Sequence, residues 1–278
     1  MSPQTLVLVD ADTGVLDNLY GLLNQEGRTI RSAVDGSEAL QYARETPCDL
    51  VVAGQGRNGL GGIELLRRLR ALRPETRVIL TGEPGAERVL PAIRAHAYSY
   101  FHKPLSQGPL ADMAQLALES EGWRGDLRVV SSVPEWISME VRCKLEAAER
   151  ATHYVRELAA DLPRAVCEDV SAAFRELLLN AVEHGGGSDP RKRVRVSLVR
   201  TGRAWMACIR DPGKGFSIQR LPHAAISNPE DAPTRHTEFR AGHGQRPGGF
   251  GILMARKMVD ELVYNERGNE VVLVKYAA

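Results

Sequence analysis

RELLLNAVEH, residues 175–184, sets polar residues at a fixed interval into a leucine-rich helical pattern. Glu176 and Asn180 stand four residues apart and so share one helix face, with Glu183 near the same stripe, while Leu177, Leu178 and Val182 occupy much of the remainder. Phosphate chemistry needs close backbone approach, a metal ligand and a base or positioning group. Two later segments complete such a set. DPGKGF (211–216) ends an alternating strand with a carboxylate followed by Gly213 and Gly215. RPGGFGILMARKMVDEL (246–262) places Gly248, Gly249 and Gly251 at the start of a helix, where free amides and the helix dipole favour anions. No GxxxxGK[ST] loop occurs, which excludes a P-loop.

Working outward, the pattern predicts a strand near 137–142, a helix over about 145–159 and a longer helix over 164–183. Two alternating strands follow at 193–200 and 203–211, joined as a hairpin through Thr201-Gly202. A helix near 250–260 and strands at 261–265 and 270–276 close the series, an α+β layout. Residues 216–247 hold four prolines and no sustained period, and are read as a lid; its Arg235, Arg240, His243 and Arg246 are cations able to meet a phosphate and fit a solvated loop equally well.

Together, the order and spacing of the three polar segments resemble the N box and two glycine boxes of the Bergerat-type ATPases, a family that includes histidine kinases, type II topoisomerases and anti-sigma-factor serine kinases. The resemblance covers residues 127–278. It implies that Asn180 coordinates magnesium, that Glu176 is the general base and that Asp211 accepts from the adenine amino group. Gly213 and Gly215 would let the backbone pass close to the base, and Gly248, Gly249 and Gly251 would border the phosphates. The implied cofactors are ATP and Mg2+. His153 lies in RATHYVRE without a following acid, unlike the phosphorylated histidine of sensor kinases, and the ending GGFGILMARKMVDELVYNERGNEVVLVKY resembles the anti-sigma-factor kinase branch. The expected activity is serine/threonine protein phosphorylation or sigma-factor binding, with an antagonist protein or sigma factor as partner. The alternative is a non-catalytic ATP-binding switch whose lid controls which protein is held.

Residues 5–120 alternate short β-branched runs with amphipathic stretches, as repeated βα units do. Five strands are expected, at 6–9, 29–33, 50–53, 78–80 and 98–101, in a parallel doubly wound (flavodoxin-like) sheet. The segments VLVDAD (7–12), DLVVAGQGRNGLGGIELL (49–66), VILTG (78–82) and YSYFHKP (98–104) resemble the response-regulator receiver domain. That family phosphorylates an aspartate ending its third strand. Asp10, Asp12, Thr81 and Lys103 match the receiver positions, but the acceptor position is Gly54, and Ala11 replaces an acid. The domain is expected to be a pseudo-receiver that docks partners and takes no phosphoryl group. Gly54 to Gly59 also fits GxGxxG, yet the strand before it is third in the series and the next strand lacks the ribose-binding acid, so a dinucleotide site is set aside.

The expected division is therefore 1–121 for the pseudo-receiver, 122–134 for a linker with the first strand of the next domain, and 135–278 for the ATPase. At 278 residues, two domains fit the length. Lysine plus arginine number 36 against 35 acids, giving a net charge of +1, so no global field draws the chain to nucleic acid or membrane, and neither is expected as a partner. Cys48, Cys143, Cys167 and Cys208 are scattered and show no zinc or disulfide spacing. The amino terminus lacks a signal-peptide pattern, which predicts a cytoplasmic protein; a homodimer is also anticipated.

Overall fold

The computed structural model describes residues 3–54, 60–216 and 250–276. The chain divides into two compact units, Met1–Gly122 and Trp123–Ala278.

The first unit alternates β1 (Gln4–Val9), α1 (Thr13–Leu23), β2 (Arg28–Ala33), α2 (Gly36–Glu45), β3 (Leu50–Gly54), α3 (Gly62–Leu72), β4 (Arg77–Gly82), α4 (Ala86–Arg94), β5 (Ser99–His102) and α5 (Gln107–Glu119). Its five strands are parallel in the order β2-β1-β3-β4-β5. The inner strands carry near-continuous apolar runs because they are buried on both faces; Leu6, Leu8, Leu50, Val52, Ile79 and Leu80 are fully enclosed. Helices start where short acids can cap them: Asp12 accepts from Gly14 N at 2.8 Å, and Asp35 accepts from Ser37 N at 2.8 Å. His96 has a φ of 55°, the left-handed region that closes α4.

The second unit holds β6 (Leu127–Val133), β7 (Trp136–Arg142), α6 (Leu145–Leu158), α7 (Arg164–Asn180), β8 (Arg193–Arg200), β9 (Ala204–Arg210), α8 (Gly251–Met258), β10 (Glu261–Tyr264) and β11 (Glu270–Tyr276). Its six strands run in the order β10-β11-β9-β8-β7-β6, antiparallel at every pairing. Phe174, Leu178, Val196 and Leu273 belong to the buried core, and α7 packs beside both α6 and α8.

Two local expectations need correction. The helix expected to reach residue 183 is α-helical only to Asn180, and Ala181–Gly185 is wound as one π-turn. Gly186 N donates to Ala181 O at 2.8 Å, a register that the glycine run 185–187 permits. The hairpin connection after β8 is three residues, 201–203, instead of two. Thr201 Oγ1 accepts from both Arg203 N and Ala204 N, a side-chain turn that the dipeptide reading overlooked. The lid residues 217–247, together with Gly248 and Gly249, lie outside the described residues.

Candidate functional site

One cavity of about 750 Å³ opens in the second unit, lined by α7, the π-turn, the end of β9 and the start of α8, with the β10–β11 turn. Glu176, Asn180, Asp211, Gly213, Gly215 and Gly251 all border it. The three sequence segments thus converge.

Each wall follows from its sequence. The i, i+4 spacing turns Glu176 and Asn180 to one side of α7, toward the first residue of α8. A β-carbon added at Gly251 would stand 2.6 Å from Glu176 Oε2 and 3.6 Å from Asn180 Nδ2, so glycine here leaves the Glu176 carboxylate its observed position beside the start of α8. At the other wall, Asp211 follows β9 directly. Its Oδ1 accepts from Gly213 N at 2.7 Å, its backbone N donates to Asn269 O at 2.9 Å, and Asn269 Nδ2 donates to Asp211 O at 3.3 Å. The DPGKG turn and the last hairpin therefore fix the carboxylate together. Burial pushes the Asp211 carboxyl above the ordinary carboxylate range, while the Gly213 amide and nearby Arg267 pull the other way. Gly215 has a φ of 82° and runs so close to the Arg267 carbonyl that a β-carbon there would overlap it.

Several residues that the sequence reading passed over belong to this cavity. Gly185 lies against the Asp211 side chain so tightly that any β-carbon would overlap it. Asn265 Oδ1 accepts from Gly268 N and Asn269 N, which shapes the turn that presents Asn269. Tyr264 lines the cavity with its ring edge-to-face against Phe216 at 5.3 Å, and burial with the nearby Asp211 raises its phenol pKa. His184, Lys192 and Lys214 also border the space. The glycine triplet 185–187 and the paired asparagines of YNERGNE were the available signals.

In the first unit, Asp10 ends just after β1 and is 8% exposed; its Oδ2 accepts from Lys103 Nζ at 2.6 Å, and its Oδ1 accepts from Asp12 N at 3.0 Å. Gly54 ends β3 alongside. A β-carbon there would meet Asp10 Oδ2 at 2.5 Å. Thr81, paired in register with Gly54, is fully buried. Asp49 sits at the opposite end of β3, where its Oδ2 accepts from Thr5 N at 2.8 Å. Of the GxGxxG stretch, residues 55–59 lie outside the described residues.

Residues 6–115 match the family model for the response regulator receiver domain, and residues 141–275 match that for the histidine kinase-like ATPase domain. The chain joins a receiver domain to a histidine kinase-like ATPase domain. An ATPase domain implies ATP binding, usually with Mg2+. Among curated proteins, the hydrogenase transcriptional regulatory protein HoxA of Cupriavidus necator is 26% identical over 260 residues, covering 90% of this chain and 53% of that protein. The transcriptional regulatory protein PrrA of Mycobacterium leprae is 31% identical over 122 residues, covering 44% of this chain and 52% of that protein. The chain thus spans about half the length of these two relatives. The solved receiver domain of NtrX from Brucella abortus is 30% identical, with a TM-score of 0.39, and covers 42% of this chain and 99% of that structure. Relatives named as transcriptional regulators lend no support to the expectation that nucleic acid is excluded as a partner. No helix among the described residues is long and apolar enough to cross a membrane.

The residues at the cavity fit the nucleotide and its metal. Asp211 offers a partly buried acceptor suited to an exocyclic amine, Asn180 offers an amide oxygen, and the glycine entry of α8 leaves room that a side chain would fill. Among the described residues, no group of three or more His, Cys, Asp or Glu side chains is arranged to hold a metal. Magnesium commonly takes one or two protein ligands and completes its shell with phosphate oxygens and water.

Proposed function

We propose that this protein is an ATP-dependent serine/threonine protein kinase or anti-sigma-type regulator of a bacterial partner-switching pathway, with a receiver domain that takes no phosphoryl group and serves as a docking platform. The observation that carries the reading is the convergence of Glu176, Asn180, Asp211, Gly213, Gly215 and Gly251 on one cavity. When bound, ATP supplies the transferable phosphoryl group and magnesium offsets its charge. The Asp211 carboxylate holds the adenine amino group, and Gly213 and Gly215 let the chain pass close to the base. Asn180 would hold the metal through its amide oxygen. Glu176 would take the proton of an incoming serine or threonine hydroxyl, and the amides entering α8 near Gly251 would hold the phosphates. By the same reading Gly248 and Gly249 contribute to that phosphate cradle.

For the receiver, the support is chemical. Gly54 has no oxygen to phosphorylate, and Asp10 Oδ2 fills the place its β-carbon would take while already paired to Lys103.

A second reading, a non-catalytic ATP-binding switch, is favoured by one contact: Glu176 Oε1 lies 3.8 Å from Arg175 Nη1, so the carboxylate already has an ionic partner within its own helix. Incubation with labelled ATP and candidate antagonist proteins, with Glu176→Ala as control, separates the two. Label on a serine or threonine of the partner that is lost in Glu176→Ala supports the kinase; nucleotide binding with no transfer to any partner supports the switch.

A further inference from the structure

The six-stranded sheet of the second unit buries one face. Ile137, Met139 and Val141 of β7, Val194, Val196 and Leu198 of β8, and Ala207 and Ile209 of β9 point into the core. The alternate residues form the other face, and the strand register aligns them in rows. Arg128, Glu140, Arg195, Arg210 and Glu270 make one row across β6, β7, β8, β9 and β11. Arg142 and Arg193 stand opposite each other in the adjacent row. Two rows away in the other direction lie Val133, Trp136, Val199, Met206 and Val274.

The charged end of this face is built against its own stability. Arg142 opposes Arg193 and Arg195 opposes Arg210, and like charges directly across strands repel. The nearby acids do not balance them. Glu140 lies 2.6 Å from Arg128 and 3.6 Å from Arg195, so one carboxylate serves two guanidinium groups. Glu270 accepts from the Cys208 thiol at 3.1 Å. Asp126 lies 3.8 Å from Arg142 but is shared with Lys144 at 3.3 Å and Arg150 at 4.0 Å. Arg193 donates through Nη2 to Gly125 O, while its Nη1 is buried with no hydrogen-bond partner. Because the whole chain carries only +1, this cationic excess is local. Arg128 and Arg195 remain 64% and 63% exposed, and at the other end Trp136 is 53% exposed.

We propose that this face docks an acidic, amphipathic segment of a partner protein, its carboxylates over the arginine rows and its apolar side chains on the row of Val133, Trp136 and Val199. Arginine forks match carboxylates in a bidentate geometry. The charged and apolar rows are four residues apart along each strand, about 13 Å, a span that a short peptide segment covers. Nucleic acid fits less well, because a phosphate backbone calls for cations along the whole track and stacking aromatics among them. The inference does not depend on phosphotransfer at the ATP cavity.

The test is fluorescence anisotropy on the full chain with a labelled peptide of repeating glutamate and leucine, beside a glutamate–serine peptide and a DNA oligonucleotide of equal charge. The expected result is that the glutamate–leucine peptide binds in a salt-sensitive manner, that Arg195→Gln with Arg210→Gln weakens it about tenfold or more, and that Trp136→Ser weakens it as well. Since the double substitution removes an opposed like-charge pair together with the 3.6 Å Arg195–Glu140 contact, its melting temperature should stay close to wild type. Peptide affinity unchanged in the double variant overturns the proposal. So does a clear fall in its melting temperature, which would make the arginines structural. DNA bound more tightly than the peptide and lost in the variant would assign the face to nucleic acid, and self-association abolished by the variant would assign it to a second copy; both outcomes also overturn the proposal.

Discussion

Replacing Asp211 by asparagine is the most direct probe of the ATP cavity, because it removes the charge and keeps the shape. The remaining Oδ1 can still accept from Gly213 N, now 2.7 Å away, so the DPGKG turn has no reason to unravel. What is lost is a charged acceptor for the adenine amino group. Hydrogen bonds to charged groups contribute about 1.5–3 kcal/mol, so ATP should bind roughly 10- to 150-fold more weakly. Isothermal calorimetry with ATP and Mg2+ measures this, and pH supplies a second signature. Burial raises the Asp211 pKa above its ordinary 3.8, and only the ionised form offers the adenine amino group a charged acceptor. Wild-type affinity should therefore fall as pH is lowered through that raised value, at a higher pH than for an ordinary aspartate. The nucleotide's own protonation is common to both proteins, so the variant serves as the baseline. The stability linkage has the opposite sign. A carboxyl whose folded pKa is raised favours folding fully below its unfolded pKa, and that contribution is lost as pH rises through the folded value. At neutral pH the asparagine variant, with no charge to bury, should melt no lower than wild type. Equal dissociation constants for the two proteins, with the same pH profile, would refute the assignment of Asp211.

Under the kinase reading, Glu176→Gln should reduce phosphotransfer by about 10²- to 10⁴-fold while leaving the ATP dissociation constant within about threefold, as single-turnover transfer and calorimetry would show; equal transfer rates would remove Glu176 from the chemistry. Gly251→Ala puts a methyl group 2.6 Å from Glu176 Oε2, so the carboxylate must move out of its present position and ATP binding should weaken with little change in melting temperature; unchanged ATP affinity by calorimetry would mean that the entry of α8 does not border the nucleotide. Treatment with a small acyl-phosphate donor should add no phosphoryl mass to residues 1–122. Gly54→Asp should not restore acceptance, because its β-carbon meets Asp10 Oδ2 at 2.5 Å while Asp10 stays paired to Lys103; intact-mass analysis showing a phosphoryl adduct on either protein would contradict this.

How much of this could be read from the chain depended on how local each signal was. The inner parallel strands of the first unit were legible because both-face burial writes itself as unbroken apolar runs such as LVLV and LVVA. Glu176 and Asn180 were legible because a four-residue interval on a helix is a statement about direction. The π-turn at 181–185 was not. Nothing in AVEHG forbids an α-helix, and the extra residue per turn follows from what surrounds it. Gly185 lies against Asp211, 26 positions later in sequence, and a β-carbon added at Gly186 would overlap the Cys143 side chain. A glycine in a turn and a glycine under a distant carboxylate look alike in sequence.

The sheet face of the second unit carries the same lesson further. Each strand's alternation was visible, so which residues share a face within one strand could be stated beforehand. Which residues of different strands stand opposite one another depends on register, and a slip of one residue would turn a whole strand over. The observed register is the one that sends Val194, Val196 and Leu198 into the core beside Ala207 and Ile209, and the arginines of β8 and β9 are then opposed as a consequence. Burial of the apolar set therefore outweighs the repulsion it imposes on the other face. Apolar burial contributes about 1.5–3 kcal/mol for each large side chain, against less than about 1 kcal/mol for an opposed surface pair. That margin is how a sheet can hold a local positive excess at no risk to its fold, and why the arginine rows are available for a partner to neutralise.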